Sequence, residues 1–179
     1  MTAYFFPHIL MFAEAVGIYS DRSERLSRFR SILKEHDSLI SKICLGYSRT
    51  RQDFEDLRQD AYINIWQGLK HFRGDSQLRT WLYRVTLNTC VSSLRKRSKI
   101  ITTVELTEMA DLVDADCEQR QMLAQLYEAI ATLPPLDKAI IMMWLDEMPY
   151  EEIAEVTGLG KNTVGTRIRR AKEKLKLDN

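Results

Sequence analysis

Glycine and proline are scarce in this chain of 179 residues, which has seven and four of them. No stretch alternates Val, Ile and Thr with polar residues for long enough to build a sheet, so the sequence predicts a nearly all-α protein. Cysteine is scarce too. Cys44, Cys90 and Cys117 are far apart and odd in number; they offer neither a disulfide framework nor a paired zinc spacing, and buried or incidental thiols in a reducing cytoplasm are expected. His36 and His71 have no second ligand at metal spacing, so no metal site is expected. No set of nucleophile, base and orienting group is present, nor a glycine loop to cradle phosphates, which argues against an enzyme and against a cofactor. Nor is there a membrane span. Residues 1–20 are apolar but punctuated by Pro7, His8 and Glu14, too short to cross, and they lack a basic leader and a small-residue cleavage site. An extra helix, a partner-binding segment and sequence upstream of a start at Met11 all remain open for them.

What is present is 45% hydrophobic and 28% charged, enough for one fair core or two small ones. The formal net charge of +1 conceals its distribution. Acidic residues crowd 105–118, basic ones 95–99 and 167–176, and local patches of this kind set nucleic-acid affinity. From Arg22 to Tyr47 apolar residues recur at helical spacing (Leu26, Phe29, Ile32, Leu33, Leu39, Ile40, Ile43, Leu45). They predict one long helix, or two with a break near His36 and Asp37. In Asp53–Lys70, Leu57, Ala61, Ile65 and Leu69 form a core stripe. Asp56, Gln59, Asp60, Ile63 and Gln67 fall on the other side, with Trp66 at the border. No histidine or third carboxylate joins the acids, so a solvated acidic face is the plain reading; the mixture with Ile63 and Trp66 fits a protein interface better.

The stretch Phe72–Asn88 stands out. Gly74 can take backbone angles closed to other residues, and Asp75 or Ser76 can cap the helix that follows. Phe72 and Arg73 therefore sit at a helix entrance, Gln77 completes the loop, and Arg79, Tyr83, Arg84 and Asn88 are expected on the outer surface of the helix. Arg95, Lys96, Arg97 and Lys99 extend it with positive charge. Rings and cations beside a small rigid loop suit a single nucleic-acid strand, since stacking contributes about 1–3 kcal/mol per base. An amphipathic core helix with a solvated basic end accounts for any one of these residues equally well.

Asp-Leu-Arg-Gln-Asp (56–60) with Trp66, then Phe-Arg-Gly-Asp-Ser (72–76), Thr-Trp-Leu-Tyr-Arg-Val (80–85) and Asn88 together resemble the second region of bacterial sigma factors of the extracytoplasmic-function type. The resemblance implies that Asp56, Gln59, Asp60, Ile63 and Trp66 dock on the clamp helices of the largest subunit of core RNA polymerase. It also implies that Phe72, Arg73, Gly74, Asp75, Ser76 and Gln77 accept a flipped base of the promoter -10 element, with Arg84, Asn88, Arg95, Lys96 and Arg97 holding the separated strand and adjacent duplex.

Residues 100–118 carry Glu105, Glu108, Asp111, Asp114, Asp116 and Glu118 and read as a solvated tether. Beyond it, Met122, Leu123, Leu126, Tyr127 and Ile130 predict an amphipathic helix ended by Leu133, Pro134 and Pro135, and Asp137 is a candidate cap for the next. Glu151–Thr157, a turn at Gly158, and Asn162–Leu175 make a helix-turn-helix pattern. Val164, Ile168, Ala171 and Leu175 are expected inward. Asn162, Thr166 and Arg169 are expected outward, flanked by Thr163, Arg167 and Arg170, with Lys161 just ahead; such side chains make the hydrogen bonds that read base edges in a major groove. Lys172, Lys174 and Lys176 suit phosphates or solvent.

Leu-Pro-Pro-Leu-Asp-Lys (133–138), Tyr-Glu-Glu-Ile-Ala-Glu (150–155) and Asn-Thr-Val-Gly-Thr-Arg (162–167) are similar to the fourth region of the same family. The resemblance implies a helical bundle over 22–99 and a helix-turn-helix domain over 119–179, joined by the acidic linker 100–118 and preceded by an extension at 1–21. It further implies that Lys161, Asn162, Thr163, Thr166, Arg167, Arg169 and Arg170 read the -35 element, that the polymerase flap region is a second contact, and that an anti-sigma factor, membrane-bound in one arrangement, restrains a cytoplasmic protein. Gly165 stands where the family often has a longer residue, a departure expected to cost up to about 1 kcal/mol of helix stability and one DNA contact. A stand-alone dimeric regulator would use only the C-terminal helices and bind duplex DNA tightly by itself; a plain helical interaction protein would show no salt-dependent DNA affinity.

Overall fold

The structure is a computed structural model that describes residues 21–97 and 117–176. The expected N-terminal extension and the acidic linker up to Asp116 lie outside the described residues. All regular structure among the described residues is helical: α1 Asp21–Tyr47, α2 Arg51–Gly68, α3 Leu78–Arg97, α4 Cys117–Ala131, α5 Pro135–Leu145, α6 Tyr150–Thr157 and α7 Lys161–Leu175.

Helix α1 runs without a break past His36 and Asp37. The polar pair is accommodated because Asp37 accepts a short hydrogen bond from the Tyr62 hydroxyl instead of competing for its own backbone. Compactness nevertheless divides the chain after Glu35. In the stretch up to Glu35, Phe29, Ile32 and Leu33 are buried.

From His36 onward the core begins with Leu39, Ile40, Ile43 and Cys44. Thr50 starts α2 by accepting the Asp53 N–H on its hydroxyl at 3.1 Å, while the Asp53 carboxylate accepts the Arg49 N–H at 3.3 Å. Reciprocal capping of this kind satisfies amides that a helix start leaves without partners. The predicted stripe Leu57, Ala61, Ile65 and Leu69 is buried, and α2 packs along α3. Cys44 and Cys90 are buried free thiols; a hydrogen bond with Cys90, then burial, holds the Cys44 thiol far above its ordinary range, so it stays protonated and unreactive.

The C-terminal helices pack mainly through α5 on α7, with α6 against both, around Ile140, Ile141, Met143, Ile153, Val164 and Ile168. Pro134 occupies the cap of α5 and Pro135 its first position, because a proline there loses no helical hydrogen bond and has a suitable φ. Asp137 consequently falls in the first turn and is not the cap. Helix α5 ends in a turn in which Met148 N–H reaches the Met143 carbonyl at 3.0 Å and Glu147 N–H the Trp144 carbonyl at 2.9 Å. That pattern needs a left-handed residue, normally glycine, and here Glu147 takes it at φ 58°. Gly158 ends α6 at φ 72°, and Gly160 precedes α7.

Candidate nucleic-acid and polymerase interfaces

The polar face of α2 is where the sequence places it. Asp56, Gln59, Asp60, Ile63 and Gln67 are exposed and Trp66 is half-buried. Ile63 is one of the few large apolar side chains left on a surface among the described residues, at 37% exposure. Asp56 accepts the Gln52 amide at 3.0 Å, a bond between exposed neighbours that a partner can replace at little cost. Beside this face Asp60, Asn64, Asn88, Thr89 and Lys96, with Val85, line an open groove of about 380 Å³. Thr89 accepts the Asn64 amide there at 2.9 Å. The groove brings one clamp candidate, Asp60, next to two strand candidates, Asn88 and Lys96.

Gly74 adopts φ 84°, which fixes the loop between α2 and α3. The Gln77 carbonyl takes the Trp81 N–H at 3.0 Å, so Gln77 stands at the entrance of α3 where Asp75 or Ser76 was expected. The Phe72 ring leans on Trp81, with centroids 4.8 Å apart and planes tilted by 37°. Trp81 in turn lies against Gly68: a Cβ at that glycine would come within 2.9 Å of the indole. The loop is thus held by a ring stack seated on a glycine. Arg73, Gly74, Asp75 and Gln77 are exposed, and Ser76 is half-buried. Sequence reasoning gave Trp81 no positioning role; the signal was present in Gly68, the only glycine inside α2.

Helix α3 differs more from expectation. Asn88, Arg95 and Lys96 are exposed, and the side chain of Arg97 lies outside the described residues. Tyr83, expected on the outer surface, is 2% exposed. It is buried because its hydroxyl has a partner in the Asp146 carboxylate, and burial first, then this bond, pushes the phenol far above its ordinary range. Asp146 also receives Lys42 at 3.1 Å, and its carbonyl accepts Arg79 at 2.7 Å. Arg84 donates to the Glu155 carbonyl at 2.9 Å and meets its carboxylate at 3.2 Å. Thr80 donates to Glu152 at 3.0 Å. Three further contacts lie at the end of α1. Lys138, buried, donates to the Gly46 carbonyl at 2.9 Å; the Tyr47 hydroxyl donates to the Pro135 carbonyl at 2.7 Å; and a Cβ at Gly46 would strike the Met142 sulfur at 2.6 Å. Burial lowers the affinity of Lys138 for its proton, and the carbonyl-rich end of α1 offsets part of that loss. These residues lie far apart in the chain, and nothing in their local sequence announces the pairing.

Helix α7 is built as predicted. Val164, Ile168 and Ala171 are buried, and Lys161, Asn162, Thr163, Thr166, Arg169 and Arg170 are exposed. Arg167 is half-buried and bonds Asp137 at 2.5 Å, so it braces α7 against α5. Lys161 pairs with Glu151, holding that carboxyl below its usual range. Arg169 is loosely paired with Glu173 at 4.0 Å. Lys172 stands over the Trp144 ring at 4.9 Å, and Lys174 reaches the Thr132 carbonyl at 3.3 Å. Gly165 lies beneath Tyr150, with its Cβ position 3.4 Å from the ring, so this position faces a neighbouring side chain and has room for a methyl.

Among the described residues no three His, Cys, Asp or Glu side chains are grouped to hold a metal, and no helix is long and apolar enough to cross a membrane. The fold and its exposed faces define an all-helical DNA-binding protein with a helix-turn-helix. Residues 32–100 match the family Sigma-70 region 2, and residues 123–175 match Sigma-70, region 4. The RNA polymerase sigma-H factor of Pseudomonas aeruginosa is 30% identical over 159 residues, covering 81% of this chain and 82% of that protein. The ECF RNA polymerase sigma-E factor of Escherichia coli (strain K12) is 33% identical over 135 residues, covering 68% and 71%. In fold the chain is similar to the sigma factor RpoE of Bartonella quintana, solved in complex with the anti-sigma factor NepR, at TM-score 0.70 and 21% identity over 84% of this chain and 95% of that one. The chain belongs to the extracytoplasmic-function (ECF) sigma factors of the sigma-70 family. It is a transcription initiation factor that binds core RNA polymerase and promoter DNA, and it is not an enzyme.

Proposed function

We propose that the two domains divide promoter recognition along the boundaries 22–99 and 119–179. The exposed face of Asp56, Gln59, Asp60, Ile63 and Trp66 docks on the clamp helices, and the C-terminal domain meets the flap region. Phe72 to Gln77 receives a base flipped from the -10 element; Arg84, Asn88, Arg95, Lys96 and Arg97 hold the separated strand. Lys161, Asn162, Thr163, Thr166, Arg169 and Arg170 read the -35 element in the major groove, with Arg167 contributing through its hold on Asp137. No bond is broken. Melting is driven by differential binding, in which pairing energy lost by the duplex is offset by stacking and phosphate contacts in the open state. An anti-sigma factor, as in the Bartonella quintana complex, competes for the same faces, and the protein works in the cytoplasm.

The observation that carries this reading is the pairing of an exposed polar recognition face on α7 with a ring-stacked glycine loop ahead of α3. Single-round transcription with bacterial core polymerase on a genomic fragment library tests it. Discrete new start sites that vanish with Asp60→Arg are expected. Absence of initiation, together with tight duplex binding by the free protein, would replace the reading with a stand-alone regulator.

A further inference from the structure

Gly165, the only glycine inside α7, lies three residues after Asn162 and four before Arg169, so it borders the face assigned to base reading without adding a side chain to it. The space above it belongs to Tyr150, the first residue of α6, whose ring is 3.4 Å from where a Cβ at Gly165 would stand. We propose that Tyr150 is a further DNA-contacting residue of this domain: seated over Gly165, its phenol donates a hydrogen bond to a backbone phosphate at the edge of the -35 groove, a contact that the glycine itself cannot make. This rests on the assignment of α7 to the -35 element made above.

Tyr150 differs from the tyrosines of the core. Tyr47, Tyr62 and Tyr83 are buried, and each donates its hydroxyl to an acceptor inside the chain. Tyr150 is half-buried, and its hydroxyl has no partner among the described residues. A phenol held at the surface by its ring, with its polar end unspent, suits an external acceptor, and phosphate oxygens accept from tyrosine as they do from other polar side chains. Its place in the motif fits as well. In a helix-turn-helix the first helix crosses the DNA backbone while the second enters the groove, and Tyr150 opens the first of them. Glu151 beside it would turn a phosphate away, but Lys161 at the start of α7 takes that carboxylate. The ring also depends on the glycine. A methyl at position 165 meets it at ordinary contact distance, whereas a longer side chain has to share the space or push the ring aside. Tyr150 and a long residue at 165 are therefore alternatives for one contact with the DNA backbone.

The test uses holoenzyme formed with the full chain carrying Tyr150→Phe, Gly165→Arg or both, with Arg170→Ala as the reference. Each is titrated against a promoter fragment obtained by single-round transcription, and nuclease protection at -35 is read at several salt concentrations. Tyr150→Phe is expected to lower -35 affinity by about tenfold, the effect of one hydrogen bond to a charged group. The slope of log affinity against log salt should not change, because a neutral phenol displaces no counterion. Gly165→Arg brings a guanidinium to the same phosphate and should steepen that slope by roughly 0.9; in its background Tyr150→Phe should cost less than about twofold, since the two contacts exclude each other. Tyr150→Phe keeps the ring and removes a hydroxyl without a partner, so its unfolding midpoint should stay in place, and it decides the contact alone should Gly165→Arg fail to fold. Unchanged affinity in Tyr150→Phe, with Arg170→Ala still weakened, would overturn the contact. An equal loss from Tyr150→Phe in both backgrounds would overturn its dependence on Gly165. Protection that Arg170→Ala also leaves unchanged would overturn the assignment of α7 to the -35 element, and the contact with it.

Discussion

Helices α3 and α7 carry similar chemistry, arginines and small polar groups on a surface between buried apolar ridges, yet they present it differently. On α7 the ridge Val164, Ile168 and Ala171 is buried and the reading residues point to solvent. On α3 the arginines nearest the loop are spent on intramolecular partners, while Asn88, Arg95 and Lys96 stay exposed. Duplex reading needs a rigid helix end and nothing more. The reading proposed for α3 therefore rests on fewer open side chains than the one proposed for α7.

The comparison can be broken most strongly through packing. Ile168→Ala leaves a cavity under α7 and should destabilise the C-terminal domain by about 3 kcal/mol, read as a lower midpoint in thermal or denaturant unfolding. The loop ahead of α3 has a different weak point. Gly68→Ala drives a methyl to within 2.9 Å of the rigid Trp81 ring, and overpacking of this kind costs about 2 kcal/mol; weaker single-strand binding and a changed tryptophan emission should accompany it. A change confined to recognition comes next. Arg170→Ala removes an exposed guanidinium and should lower specific -35 duplex affinity by about tenfold, within the ~1–3 kcal/mol of a good base contact, with unfolding unaltered and loss of the upstream footprint of the holoenzyme. The smallest effect has the opposite sign. Gly165→Ala places its methyl at ordinary contact distance, 3.4 Å from Tyr150, and should stabilise α7 by up to about 1 kcal/mol. The same substitution at two helical glycines is therefore expected to lower stability in α2 and raise it in α7.

Apolar spacing was enough to read the helices and their inward faces. The Leu57, Ala61, Ile65 and Leu69 stripe and the Val164, Ile168 and Ala171 ridge follow from a period of 3.6 residues. The exposed halves of the candidate sites followed too, because Asp56 to Ile63 and Asn162 to Arg170 lie opposite those stripes. What the sequence hid was every feature decided by partners remote in the chain. Tyr83 and Arg84 look solvent-facing on a helical wheel but meet Asp146 and Glu155; Arg167 looks like a base reader but braces Asp137. Local rules also shifted positions where two caps competed: Pro134 and Pro135 displaced Asp137 from the start of α5, and Gln77 displaced Asp75 and Ser76 from that of α3.

The division of labour between α3 with its loop and α7 is tested most directly by footprinting one promoter complex with two probes, permanganate for unpaired thymines around -10 and nuclease protection around -35. Holoenzyme carrying Phe72→Ala should keep -35 protection and lose permanganate reactivity, because the loop no longer offers a ring to the flipped base. Holoenzyme carrying Arg170→Ala should lose -35 protection, and raising its concentration should restore strand opening. Loss of -35 protection by Phe72→Ala, with opening intact, would contradict the account.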